Sequence, residues 1–166
     1  CQILAVVDIC SEKVNWLNES SVKTLLSGSR QGSQDCTASN VIEAYNIKHV
    51  LSLGIDVQVS VNNKFIYCLD LPETNIKDVL TDSLPFIRKS VESKENCLIH
   101  CNAGVSRTSM VVIAYLMHYE RMQFQDAYDL VKSKRPAIQP NDGFKKQLKI
   151  MKGSFSTRLS STSSMV

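Results

Sequence analysis

Apolar and polar positions along the chain alternate between the two spacings that secondary structure imposes, about two residues for strands and 3.6 for helices. Lys48-His49-Val50-Leu51-Ser52-Leu53 and Phe65-Ile66-Tyr67-Cys68-Leu69 are short, apolar, β-rich runs, the second following a turn-like Asn62-Asn63. Both predict buried strands. Ahead of them, Thr37 or Ser39 is positioned to cap a short helix with Val41, Ile42 and Tyr45 on one face. From Ser83 the spacing turns helical, with Leu84, Ile87 and Val91 on one stripe and Pro85 accommodated in the first turn. That helix is expected to end near Glu95. Asn96-Cys97-Leu98-Ile99-His100 then predicts a short strand, and the strongly apolar run Ser109 to Met117 a buried helix after a loop with one glycine. Two more helices are predicted, one around Gln125–Ser133 carrying Ala127, Leu130 and Val131, the other around Gly143–Met151. Arg135-Pro136 and Gln139-Pro140 punctuate them. Strands alternating with helices predict an α/β domain, a central mostly parallel sheet flanked by helices. Its active site is expected at the carboxyl ends of the strands.

The ends of the chain carry weaker patterns. Residues 21–36 are rich in Ser and Gly and read as an irregular lead-in. The tail from Gly153 is dominated by Ser and Thr, has almost nothing to bury, and is expected to be disordered.

Composition narrows the functional classes. The chain has 166 residues, 43% of them apolar and 21% charged, enough for one domain with a proper core and no room for a second. A formal net charge of +3 suits an anionic substrate and is too mild to argue for nucleic acid or a membrane surface. The six cysteines form no C-x-x-C pair, so neither a zinc site nor a disulfide framework is suggested, and a reducing compartment is expected. The apolar opening CQILAVVDIC lacks a basic flank and a small-residue cleavage site, and falls short of a membrane span. The expected location is the cytoplasm, with the nucleus also open.

The decisive chemistry lies in His100-Cys101-Asn102-Ala103-Gly104-Val105-Ser106-Arg107-Thr108, between a predicted strand and a predicted helix. Unpaired N–H groups at a helix amino end, together with the positive end of the helix dipole, make an anion site. Gly104 lets the loop curl so that the N–H groups of residues 102 to 106 converge on one centre. Arg107 adds a planar two-pronged donor that matches two phosphate oxygens. The same field favours the thiolate of Cys101, the form that attacks phosphorus. The leaving oxygen needs a proton, and the loop has no acid to give it. Asp70, 31 residues before Cys101 and just past the second strand, is the candidate general acid. No metal or cofactor is implied, because the helix end and Arg107 already supply positive charge.

H-C-x-x-G-x-S-R-T resembles the cysteine-based protein tyrosine phosphatase superfamily, specifically its small dual-specificity phosphatases. The resemblance runs from about Gly32 to Lys152 and divides the chain into a lead-in (1–31), a catalytic domain (32–152) and a tail (153–166). It implies that Cys101 is the nucleophile and that Arg107 binds phosphate and stabilises the transition state. The Thr108 hydroxyl would help the thiolate leave. The family's acid loop corresponds to Leu69-Asp70-Leu71-Pro72-Glu73-Thr74-Asn75-Ile76. Its closing motif corresponds to Arg135-Pro136-Ala137-Ile138-Gln139-Pro140-Asn141-Asp142-Gly143-Phe144, where Asn141 would support the phosphate loop from beneath. His100 is expected to orient the loop. Before Gly32, where the family carries an apolar strand ending in Leu-Gly-Ser, TLLSGSRQGSQD stands instead.

The resemblance implies a phosphoprotein phosphatase acting on phosphotyrosine and phosphoserine or phosphothreonine, with partners among signalling proteins such as mitogen-activated kinase pathway members. Two other readings compete. One is a phospho-binding scaffold of the same fold, against which intact Cys101, Asp70, Arg107 and Thr108 speak. The other is a phosphatase for a lipid, RNA end or glycan, against which the neutral Asn102, Ala103 and Val105 speak. Cys68 and Cys97 are positioned either to pack in the core or to trap an oxidised Cys101. Lys132, Lys134 and Arg135 form a basic cluster whose default role is a solvated helix end. Ser164-Met165-Val166 matches the carboxyl-terminal pattern that PDZ domains capture, a pattern short enough to arise by chance.

Overall fold

The computed structural model describes residues 4–8, 13–16 and 42–156. Five strands form one sheet: β1 (Leu4–Asp8), β2 (Lys13–Trp16), β3 (Ile47–Leu53), β4 (Asn62–Ile66) and β5 (Asn96–His100), in the order β2-β1-β5-β3-β4. β3 pairs in parallel with both β4 and β5, giving the parallel centre expected of alternating strands and helices. β1 adds to the other side of β5 antiparallel, and β2 pairs antiparallel with β1. The expected helix caps Thr37 and Ser39, with Val41, lie outside the described residues; residues 42–44 form one helical turn.

Four longer helices follow: α1 (Ile76–Glu92), α2 (Arg107–Tyr119), α3 (Phe124–Lys134) and α4 (Asp142–Ser156). α2 is the centre of the core, with every residue from Thr108 to Met117 buried. That is why its sequence reads as a continuous apolar run instead of a stripe. It packs against α1, α3 and α4.

Three boundaries differ from the sequence reading, each for a physical reason. α1 begins at Ile76, seven residues before Ser83, because Asn75 accepts a hydrogen bond from the Lys77 amide and caps the helix there. Ile76, Val79, Leu80, Ser83, Leu84 and Ile87 then make one buried face. Pro85 consequently sits inside the helix, on its exposed side, where the carbonyl left without a donor meets water. β4 begins at Asn62, where a turn was expected, because it is an edge strand whose asparagines are used, and it ends at Ile66, so Tyr67, Cys68 and Leu69 of the expected strand lie beyond it. Asn62 Nδ2 is 2.9 Å from His49 Nδ1, and Asn63 donates to the Val57 carbonyl at 2.8 Å. α4 runs to Ser156, four residues into the segment expected to be disordered; residues 157–166, including the Ser164-Met165-Val166 pattern, lie outside the described residues.

α1 stops at Glu92 through a paired backbone cap. The Glu95 amide donates to the Ser90 carbonyl and the Lys94 amide to the Val91 carbonyl, with Lys94 in the left-handed region at φ 56°. A glycine accepts that conformation without the steric penalty a lysine carries. Lys94→Gly should therefore stabilise the fold by about 1 kcal/mol, read as a higher midpoint in urea unfolding with unchanged slope.

Candidate active site

β5 ends at His100 and α2 begins at Arg107, so the intervening residues form a tight loop at the carboxyl end of the central strand. Gly104 has φ 61°, the left-handed conformation that lets the loop curl, and its amide donates to Cys101 Sγ at 3.2 Å. Cys101 is only 2% exposed, whereas Asn102 and Ala103 are exposed and Val105 is half-buried. The loop's carbonyls are tied to the frame around it. Val105 O accepts from the Gln139 amide at 2.9 Å and from Ser109 Oγ at 2.6 Å, while Ser106 O accepts from Ser109 Oγ at 2.8 Å.

Arg107 anchors the loop to two neighbouring strand ends. Its Nη1 donates to the Leu53 carbonyl at 3.2 Å and the Cys68 carbonyl at 3.1 Å. Its Nε is buried with no hydrogen-bond partner, a donor that an oxyanion would satisfy. The approach depends on Gly54, which follows β3 with φ 74°. A Cβ there would lie 2.2 Å from Arg107 Nη1 and 2.5 Å from the Cys68 carbonyl oxygen. The sequence reading passed over Gly54. Its signal was a lone glycine directly after an apolar strand, at the strand end where such sheets hold their sites.

Asp70 meets the loop from the other side. Its Oδ1 accepts from Ser106 Oγ at 2.6 Å and from Asn141 Nδ2 at 2.9 Å, and its Oδ2 lies 3.9 Å from Arg107 Nε. Asn141 was expected to support the loop from beneath; its side chain also holds Asp70. Its amide donates to Ser106 Oγ at 3.1 Å and its Oδ1 caps α4 by accepting from the Phe144 amide at 2.9 Å. The acid loop is fastened further along α4. Gln147 accepts from the Ile76 amide at 3.1 Å and donates to the Thr74 carbonyl at 2.9 Å. Gly143 allows the contact to be close, since a Cβ there would fall 1.9 Å from Pro72 O.

His100 and Thr108 lie on either side of the loop, both fully buried. His100 Nε2 is 2.7 Å from Ser52 Oγ, and Ser52 Oγ donates to Asn63 Oδ1 at 3.3 Å. With the serine proton used in that way, the histidine is the donor to Ser52, which fixes its tautomer. Burial pushes its pKa down to about 4, so the ring is neutral in the fold. Thr108 Oγ1 is buried in the first turn of α2 without a hydrogen-bond partner.

Among the described residues the free cysteines are Cys68, Cys97 and Cys101. Burial raises the Cys97 pKa to about 12 and the Cys68 pKa to about 11, the latter opposed by Arg107, so both stay thiols at neutral pH. Cys97 lies in β5 four positions before Cys101, about 13 Å along the strand and beyond disulfide reach. Lys132, of the basic cluster, donates to the Ile138 carbonyl at 2.8 Å. Among the described residues no helix is long and apolar enough to cross a membrane.

The family described as "Dual specificity phosphatase, catalytic domain" matches residues 31–152. Dual specificity protein phosphatase 19 of Mus musculus is 36% identical over 129 residues, which cover 75% of this chain and 57% of that protein. MAP kinase phosphatase with leucine-rich repeats protein 3 of Dictyostelium discoideum is 38% identical over 122 residues, covering 70% of this chain and 14% of that protein. The chain thus spans little more than half of the first relative's length and a small part of the second's. The crystal structure of DUSP15 superposes with a TM-score of 0.66 at 28% identity, covering 71% of this chain and 78% of that one.

The neutral His100 has a consequence for acid stability. Its folded pKa of about 4 lies below the ordinary value of 6.5, so the unfolded chain takes up the proton first as pH falls. The penalty is absent above pH 6.5 and grows to about 3 kcal/mol as pH approaches 4. Urea unfolding across this range should show His100→Gln losing less stability than the wild type. Parallel losses in the two proteins would contradict a neutral buried ring.

Proposed function

This chain belongs to the dual specificity phosphatase family, and from that premise we propose that it hydrolyses phosphotyrosine and phosphoserine or phosphothreonine on proteins through a phosphocysteine intermediate. One arrangement carries the reading: Cys101 Sγ receives the Gly104 amide while Asp70 is held across the loop by Ser106. Asp70 Oδ1 accepts two hydrogen bonds, so in the protonated acid it is the carbonyl oxygen and Oδ2 carries the proton.

In the first step the Cys101 thiolate attacks phosphorus in line. The bond from phosphorus to the ester oxygen breaks, and that oxygen leaves with the proton from Asp70 Oδ2. Arg107 and the amides of residues 102 to 106 hold the charge that develops on the phosphoryl oxygens. In the second step Asp70, now a carboxylate, takes a proton from water as the water oxygen attacks phosphorus. The bond from sulfur to phosphorus breaks, the Thr108 hydroxyl stabilises the departing thiolate, and phosphate is released. His100 and Asn141 orient the loop and the acid.

Phosphoprotein substrates fit a loop whose variable residues, Asn102, Ala103 and Val105, bring no further charge for a polyphosphorylated lipid or sugar. The name of the Dictyostelium relative, a MAP kinase phosphatase, points to mitogen-activated kinase pathways as a place to look for substrates. The three free thiols buried among the described residues suit a reducing compartment such as the cytoplasm.

The test is hydrolysis of a small aryl phosphate across pH. Wild type should give a bell-shaped profile, needing thiolate at Cys101 and a proton on Asp70. Cys101→Ser should be inactive. Asp70→Asn should be slower by roughly 10²–10⁴-fold and lose the alkaline limb. Gly54→Ala, which displaces Arg107 Nη1, should lower kcat/KM by about 10²-fold. Full activity of Cys101→Ser would end the phosphocysteine mechanism.

A further inference from the structure

β4 is the edge strand of the sheet, so its outer backbone groups have no strand partner among the described residues. From β4 towards the acid the chain presents large apolar side chains at every second position. Phe65 is 43% exposed, Tyr67 71% and Leu69 45%, while Ile66 and Cys68 between them are buried. Of these, Phe65 lies in β4 beside its charged Lys64, and Tyr67 and Leu69 lie in the extended stretch after it; a contiguous apolar stripe on a surface marks an interaction site. Beside the stripe runs an open cleft of about 490 Å³, lined by Phe65, Tyr67 and Leu69 on one side and by Asn75, Asp78 and Asp82 of the α1 region on the other.

The charged residues lining the cleft are both carboxylates. Asp78 accepts from Asn75 Nδ2 at 3.1 Å; Asp82 meets Lys64 at 3.3 Å in an exposed pair that a competing cation can replace. The stripe ends at Leu69, adjacent in sequence to the candidate acid Asp70, so one end of the cleft lies towards the site. Phe65 to Asp70 spans five residues, about 17 Å of extended chain. A ligand lying here therefore meets a phosphate site at one end and acidic, apolar walls along its length.

We propose that this cleft is the substrate-recognition groove. It takes an extended segment of the phosphoprotein flanking the phosphorylated residue, with apolar side chains at alternate positions against Phe65, Tyr67 and Leu69 and a lysine or arginine facing Asp78 and Asp82. The segment adds to the free edge of β4 by main-chain hydrogen bonds, and its side chains give the selectivity. The inference rests on the proposed phosphatase reading for its substrate and adds a sequence preference that the loop itself does not supply.

The experiment uses the full chain and phosphotyrosine peptides whose apolar and lysine-bearing flank lies on either side of the phosphorylated residue. Peptides with serine and glutamate in those positions serve as controls. Wild type should favour one apolar-basic peptide by about ten-fold in kcat/KM. Tyr67→Ser and Asp78→Lys should each raise KM for that peptide about ten-fold, leaving its kcat and the turnover of a small aryl phosphate unchanged. Equal kcat/KM for all peptides, or an unchanged KM in both variants, would overturn the groove. Loss of aryl phosphate turnover in wild type would instead overturn the phosphatase reading. The groove is then decided by labelled-peptide binding to Cys101→Ser, where the same preference, weakened by Asp78→Lys, is expected and its absence refutes it. Sedimentation showing a dimer that Tyr67→Ser dissolves would make the stripe a self-association face and also overturn the proposal.

Discussion

A helix whose residues from Thr108 to Met117 are all buried cannot slide or tilt without opening a cavity, and this fixes the amino end of α2 at the carboxyl edge of the sheet. The rest of the site depends on that constraint. The loop from Cys101 to Ser106 has to bridge a strand end and a helix start that are both immobile, and Gly104 at φ 61° is how it closes. Ser109, inside the buried helix, then takes two of the loop's carbonyls. Core packing and anion binding are thus one problem: the apolar run that fills the core also aims the helix dipole.

Around this fixed loop the polar groups are shared among segments far apart in sequence. Ser106 Oγ donates to Asp70 and accepts from the Asn141 amide, so one hydroxyl joins the phosphate loop, the acid loop and the start of α4. Arg107 Nη1 joins the end of β3 to Cys68, two residues past the end of β4. Burial on the sheet side has the opposite effect on charge. It keeps His100 neutral and holds Cys68 and Cys97 as thiols, so the positive charge beside the loop comes from Arg107 and the helix end. The same chemical group, a buried cysteine, is therefore inert at two positions and candidate nucleophile at the third because of where the loop amides point.

Much of this was legible in the sequence where a single segment carries the information. β3, β5 and α2 follow from local apolar runs, and the loop from Cys101 to Thr108 carries its own chemistry. What escaped depends on distant partners. Gly54 looks like a turn glycine until Arg107 is laid against it. Asn141 caps α4 locally, and its contact with Asp70 spans 71 residues. The first turns of α1 were hidden because Pro85 invites a helix start nearby, whereas Asn75 ten positions earlier caps the actual one. β4 was misjudged at its start because an edge strand tolerates the asparagines that signal a turn elsewhere.

The neutrality of the loop bears on how selectivity can arise. Asn102, Ala103 and Val105 add no charge beyond what a single phosphoryl group needs, and Asn102 and Ala103 face solvent. Under the proposed mechanism the loop's contacts go to the phosphoryl oxygens, and its side chains add no charge that would distinguish one phosphomonoester from another. Contacts common to every substrate cannot separate one protein from another, because specificity is a difference of affinities. Discrimination must then come from surface next to the loop that is rigid and chemically distinct. The segment from Phe65 to Leu69 meets both conditions: Ile66 and Cys68 pin it to the core, Arg107 holds its backbone, and the intervening side chains stay exposed. A segment that holds Arg107 through a backbone carbonyl and displays apolar side chains at alternate positions is thereby tied to the loop by its own backbone.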